Sequence, residues 1–184
     1  MKALLLPALF SFALSLVSPA QTCREVIRDS SGRIVQTIDR QTSAGGSVQS
    51  TTRDASGRII GTATTNPNAG GSSQTNYRDA SGRMTGTAST QPTTGASSRT
   101  TYPDASGRME GSADTRIGSG SATNTQYRDA SGRLTGSQAT NASPSGSFTG
   151  TQRDASGRLT GGSTGSGKCQ GTAVVPAPPP GAKK

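Results

Sequence analysis

Between Arg24 and Gly161 the chain shows no apolar run of helical period; large side chains stand singly among Thr, Ser, Gln, Asn and Gly. Stretches such as "SSQTNYR" (Ser72 to Arg78) and "RMTGTAST" (Arg83 to Thr90) are rich in Thr and alternating small polar residues. That pattern predicts short strands rather than helices. The segment between them is "DASG", and it recurs. Asp29, Asp54, Asp79, Asp104, Asp129 and Asp154 follow one another at a constant interval of 25 residues. A period with no insertion marks a repeat architecture.

Each unit reads Arg-Asp-(Ala/Ser)-Ser-Gly-Arg, with Pro103 in place of the first Arg in the fourth unit, and then an apolar residue: Ile34, Ile59, Met84, Met109, Leu134 or Leu159. Asp at the head of a turn accepts from N–H groups further on, and the glycine, Gly32, Gly57, Gly82, Gly107, Gly132 or Gly157, supplies positive φ. This predicts a three-residue hairpin with a type I turn and a glycine bulge. In the third unit, strands are expected at about 72–78 and 83–89, with Arg83 opposite Asp79, Met84 opposite Arg78 and Thr85 opposite Tyr77. Return connections such as "QTSAGG" from Gln41 and "NASPSG" from Asn141 recur in phase.

Six units make about twelve strands, and the fold expected is all-β: six 25-residue hairpins in an antiparallel meander, as a curled sheet or barrel, with a β-solenoid as the alternative. Composition alone would permit disorder, since 28% of the chain is apolar, 3% is aromatic and Trp is absent. A linker, however, has no reason to keep glycine at one phase of an undrifted period.

The ends differ from the middle. Lys2, the apolar run from Ala3 to Val17 and "SPA" at Ser18 to Ala20 read as a signal peptide over 1–20. Cleavage after Ala20 implies export to the periplasm or outside the cell, with no membrane span in the mature chain. Thr22 precedes Cys23 without a small-residue lipobox, which argues against lipidation. The repeat domain is placed at 21–161, and 162–184, ending Pro-rich and basic, is read as a flexible tail. Cys23 and Cys169, an even count in an exported chain, predict a disulfide across the ends of the repeat block. Twelve strands side by side at about 4.8 Å would separate those ends by roughly 50 Å, beyond the reach of a short linker, so an intramolecular bond requires a curled or closed sheet.

Charge narrows the function. After removal of Lys2 with the signal peptide, 18 Lys and Arg face 10 acids, with no His. Neither a nucleophile with its base nor an acid–base pair can be assembled, so no catalytic residue is assigned and the chain is read as non-enzymatic, without cofactor. Calcium is disfavoured because each "DASG" supplies one carboxylate with Arg beside it, whereas calcium takes six or more oxygens; no metal ligand is assigned. The recurring Arg33, Arg58, Arg83, Arg108, Arg133 and Arg158 would form a row able to grip a long polyanion, or else pair with the turn aspartates.

"YRDASGRLTG" (Tyr127 to Gly136) resembles the YD repeat of the RHS family of bacterial secreted and surface proteins, whose units read Tyr-Asp-x-x-Gly-Arg-Leu. Here Arg or Pro separates Tyr from Asp, as at Tyr77-Arg78-Asp79 and Tyr102-Pro103-Asp104, and Ile27, Thr52 and Gln152 occupy the Tyr position in the other units. The resemblance implies a spiralling sheet of β-hairpins and an envelope or extracellular role, and nothing catalytic. The expectation is a structural or adhesive protein, with self-assembly through strands as one route. The alternative is a binding module for anionic polymers such as lipopolysaccharide, acidic polysaccharide or extracellular DNA.

Overall fold

The computed structural model describes residues 21–167. The signal-peptide expectation for 1–20 and Cys169 with the terminal segment lie outside the described residues. Twelve strands follow in order: β1 (Gln21–Asp29), β2 (Ile34–Thr42), β3 (Val48–Asp54), β4 (Ile59–Pro67), β5 (Ser73–Asp79), β6 (Met84–Thr93), β7 (Ser97–Pro103), β8 (Met109–Ile117), β9 (Ala122–Asp129), β10 (Leu134–Ala142), β11 (Phe148–Asp154) and β12 (Leu159–Gly167). Each pairs antiparallel with its sequence neighbours, and β12 pairs with β1, so the meander is a closed barrel. Among the described residues neither a solenoid nor an open spiral forms.

The six tight turns have the expected geometry. Asp79 N–H donates to the Arg83 carbonyl at 2.9 Å and Gly82 N–H to the Asp79 carbonyl at 3.0 Å, with the same pair of bonds in every unit. The turn glycines have φ between 81° and 85°, a region L side chains rarely occupy. Met84 faces Arg78 as expected, but Tyr77 faces Gly86 rather than Thr85. The register slips by one residue at this point in each hairpin. This second bulge is not predicted by the repeat motif. The residue after it is glycine in five units, Gly61, Gly86, Gly111, Gly136 and Gly161, each so close to the next hairpin that a Cβ would strike its backbone, while Gln36 stands there in the first unit. A methyl carbon on Gly136 would stand 2.6 Å from the Arg153 carbonyl oxygen. Gly161 meets the Arg28 carbonyl across the seam between β12 and β1 in the same way, so the closure repeats the contact used inside the chain.

β12 runs to Gly167, past the position 161 where the repeat motif ends. "GGSTGSG" has little strand propensity, yet it is held from both sides, with Gly162–Gly167 opposite Arg28–Cys23 and Gly161–Gly165 opposite Gln152–Phe148. Phe148 lies directly over Gly165, filling the space a side chain there would need.

The inward-facing positions form two layers. In one, large residues face small ones: Ala63 faces Tyr77, Ala113 faces Tyr127, and Ala88 packs with Tyr102 in the same buried cluster. The other layer is hydroxyl-rich. Thr65 and Thr75, Thr90 and Thr100, and Thr115 and Thr125 are joined by side-chain hydrogen bonds of 2.8, 2.8 and 2.9 Å. Pairing satisfies hydroxyls whose burial alone would be costly. Replacing Gly136 by Ala is expected to destabilise the barrel by about 1–3 kcal/mol through this backbone clash, read as a lower urea midpoint with an unchanged slope.

Candidate functional site: an arginine-rimmed barrel mouth

An up-and-down barrel puts alternate connections at opposite ends, so the six "D-(A/S)-S-G-R" turns ring one mouth. Twelve strands spaced about 4.8 Å apart and tilted by about 40° give a ring roughly 24 Å across. The arginines expected in a row therefore stand on a circle. Arg33, Arg58, Arg83, Arg108, Arg133 and Arg158 are all exposed. The alternative of pairing with the turn aspartates holds weakly at one position among the described residues: Arg33 Nε lies 3.5 Å from Asp29 Oδ2, with its side chain 81% exposed.

The aspartates are occupied by the turn itself. Asp79 Oδ1 accepts from the Ser81 N–H at 2.9 Å, the Ser81 hydroxyl at 2.6 Å and the Arg83 N–H at 3.0 Å. The Ser81 hydroxyl is the largest cause holding the Asp79 carboxyl below its ordinary value of 3.8. The same hydroxyl bond leads at Asp54, Asp104, Asp129 and Asp154. At Asp29 the Arg33 N–H is the leading cause.

A second arginine belongs to the site and was not singled out from the sequence. Arg28, Arg53, Arg78, Arg128 and Arg153, each just before the aspartate, donate through Nη1 to the carbonyl of their own turn glycine at 2.8–3.1 Å. Pro103 replaces it in the fourth unit. The recurrence of Arg before Asp was the available signal; its hydrogen-bond target requires the folded turn. Together the rim carries eleven arginines against the six turn aspartates and Glu110, a surplus of four positive charges. The rest of the described barrel carries Arg24, Arg40, Arg99 and Arg116 against Glu25, Asp39 and Asp114, a surplus of one.

Those remaining charges are largely paired. On the outer wall Asp39 lies 2.6 Å from Arg24 and 3.7 Å from Arg53, and Asp114 lies 2.8 Å from Arg99 and 3.8 Å from Arg128. Inside, Arg40 and Glu25 form a 2.7 Å ion pair with side chains 16% and 5% exposed. The pair faces the tyrosine cluster, where Tyr127 donates to Gln138 Oε1 at 2.9 Å. Burial pushes the Tyr77, Tyr102 and Tyr127 phenols upward.

Cys23 is buried near the start of β1, at the mouth opposite the rim, with Gly167 as its cross-strand partner. Among the described residues, no three His, Cys, Asp or Glu side chains are grouped so as to hold a metal ion. No protein-family model matches the chain, and no curated protein matches it.

The turn aspartates set an acid limit on the rim. A carboxyl depressed in the folded state contributes stability above its ordinary value, and that contribution is lost as pH falls through the folded value. With six such groups, the melting temperature is expected to hold near neutral pH and to fall as pH is lowered below the ordinary carboxyl value of 3.8, followed by circular dichroism. A melting temperature that stays level as pH is lowered past that value would contradict the capping role.

Proposed function

We propose that this chain is a non-enzymatic exported protein with an adhesive or structural role, attached through its arginine rim to anionic polymers such as lipopolysaccharide, acidic polysaccharide or extracellular DNA. The observation that carries this reading is the concentration of unpaired positive charge at one mouth. The aspartates there are engaged by turn N–H groups and hydroxyls, and the exposed guanidiniums are left to meet an outside anion. Such groups bind polyanions by releasing counterions. Self-assembly by strand addition has less support, because β1–β12 pairing leaves no open strand edge among the described residues. The resemblance to YD-repeat proteins fits a role in the envelope or outside the cell.

The salt dependence of binding tests this. Affinity for double-stranded DNA or dextran sulfate should fall steeply with salt. For DNA, the triple variant Arg58→Gln, Arg83→Gln, Arg133→Gln should reduce the log–log slope by up to about 2.7, at about 0.9 per lost phosphate contact. Binding that ignores salt, or a variant that binds as well as the parent, would overturn the reading.

We also propose that Cys23 and Cys169 are joined as a clasp at the mouth opposite the rim. The support for this pairing is that Gly167, the cross-strand partner of Cys23, stands two residues before Cys169 in the sequence. The bond would stabilise by about 4–5 kcal/mol through its long loop. On a non-reducing gel the clasp predicts a monomer that migrates faster before reduction than after it, whereas a ladder of multimers would show head-to-tail bonding instead.

A further inference from the structure

The barrel keeps threonines inside while leaving some of its few large aliphatic side chains outside. Thr75 and Thr100 are 2% exposed, whereas Ile34, Val35, Ile59 and Ile60 are 40–42% exposed. The second bulge is the cause. In a regular strand, neighbours alternate between faces, and with Gln36 inward Ile34 would turn inward as well. Here Ile34 pairs with the outward Arg28 and Gln36 with the inward Ile27, so Val35 is the extra residue of the bulge and both aliphatic side chains reach the outer surface. The second hairpin does the same with Ile59 and Ile60, opposite Arg53. The other four units carry Thr85, Glu110, Thr135 and Thr160 at the Val35 position, so the aliphatic doublets are confined to one side of the rim. Leu159, 45% exposed on β12, borders that side across β1. Arg28, Arg33, Arg53 and Arg58 stand among these residues.

Resting on the anion-binding rim, we propose that this flank, the Ile34–Val35 and Ile59–Ile60 doublets with their four arginines, docks the barrel on the interface of an anionic lipid bilayer. A barrel leaning on this side brings guanidiniums to phosphate depth and aliphatic side chains to the headgroup–acyl boundary together. Charge complementarity selects the occupant: an apolar patch facing a neutral protein surface has no use for four surrounding cations, whereas lipid phosphates meet both features. The contact is peripheral. Arg24, Asp39, Arg99 and Asp114 occupy the outer wall, and an arginine facing hydrocarbon at the midplane would cost about 2–4 kcal/mol.

The test uses the mature protein and the variant Val35→Thr, Ile60→Thr, which installs the residue that three sister repeats already carry there, so the folded barrel, checked by circular dichroism, is retained. Co-sedimentation is measured with phosphatidylcholine vesicles and with vesicles containing phosphatidylglycerol, and dextran sulfate serves as a soluble polyanion. The parent should bind the phosphatidylglycerol vesicles and not phosphatidylcholine alone. The variant should lose about tenfold in vesicle affinity while holding dextran sulfate as before. Equal vesicle binding by parent and variant would overturn the docking flank, as would equal binding of both vesicle types. A parent that holds dextran sulfate but no vesicles would overturn the lipid inference and leave the rim's anion-binding role standing; a parent that holds neither would overturn both. A parent dimer in sedimentation velocity that the variant dissolves would assign the flank to a second copy and overturn it.

Discussion

Seven residue pairs join Cys23–Asp29 to Gly161–Gly167, and without them two strands would present unpaired N–H and C=O groups on a molecule with little apolar surface to compensate. An open sheet of this composition would have only small clusters, such as Ala88, Tyr102, Ala113 and Tyr127, to oppose the conformational entropy of more than a hundred ordered residues. Closure adds the ladder that removes the edges and encloses the space into which tyrosines and threonine pairs project. The interior can then be satisfied largely by hydrogen bonds between hydroxyls, provided each finds its partner.

The same closure gives the rim its meaning. Six turns of one design make a ring only because the sheet returns to its start, and the surplus charge is concentrated only because turn chemistry places arginine on both sides of five of the six turn aspartates. Stability and binding thus draw on the same short motif. Its aspartate holds the turn, the arginine before it donates to the turn glycine in five units, and the arginine after the glycine faces solvent.

The turns were readable in the sequence because their requirements are local: a carboxylate at the head, glycine at positive φ and a fixed phase. The closed sheet was one of the arrangements the sequence allowed. Three features were hidden because their causes lie across the sheet. The motif puts Thr85 opposite Tyr77, but a bulge brings Gly86 there instead, where the next hairpin comes too close for a Cβ. Gly162 to Gly167 read as the start of a flexible tail, but they form the end of β12, because the ladder that orders them comes from β1 and β11. The pairing of Ala63 with Tyr77 and of Ala113 with Tyr127 is a volume match between repeats, invisible within any one of them. The arginine circle was half visible, since the residues were evident but their curvature was not.

The seam also fixes an order of events. Each hairpin closes over a few residues, an encounter on the microsecond scale, whereas β1 must wait for a partner more than a hundred residues further on. Loop-closure entropy makes that pairing the slow one, so a meander with two bare edges precedes the barrel. During that interval the nascent sheet is open to strand exchange with its neighbours, and the barrel is protected only once its final, glycine-rich strand has arrived.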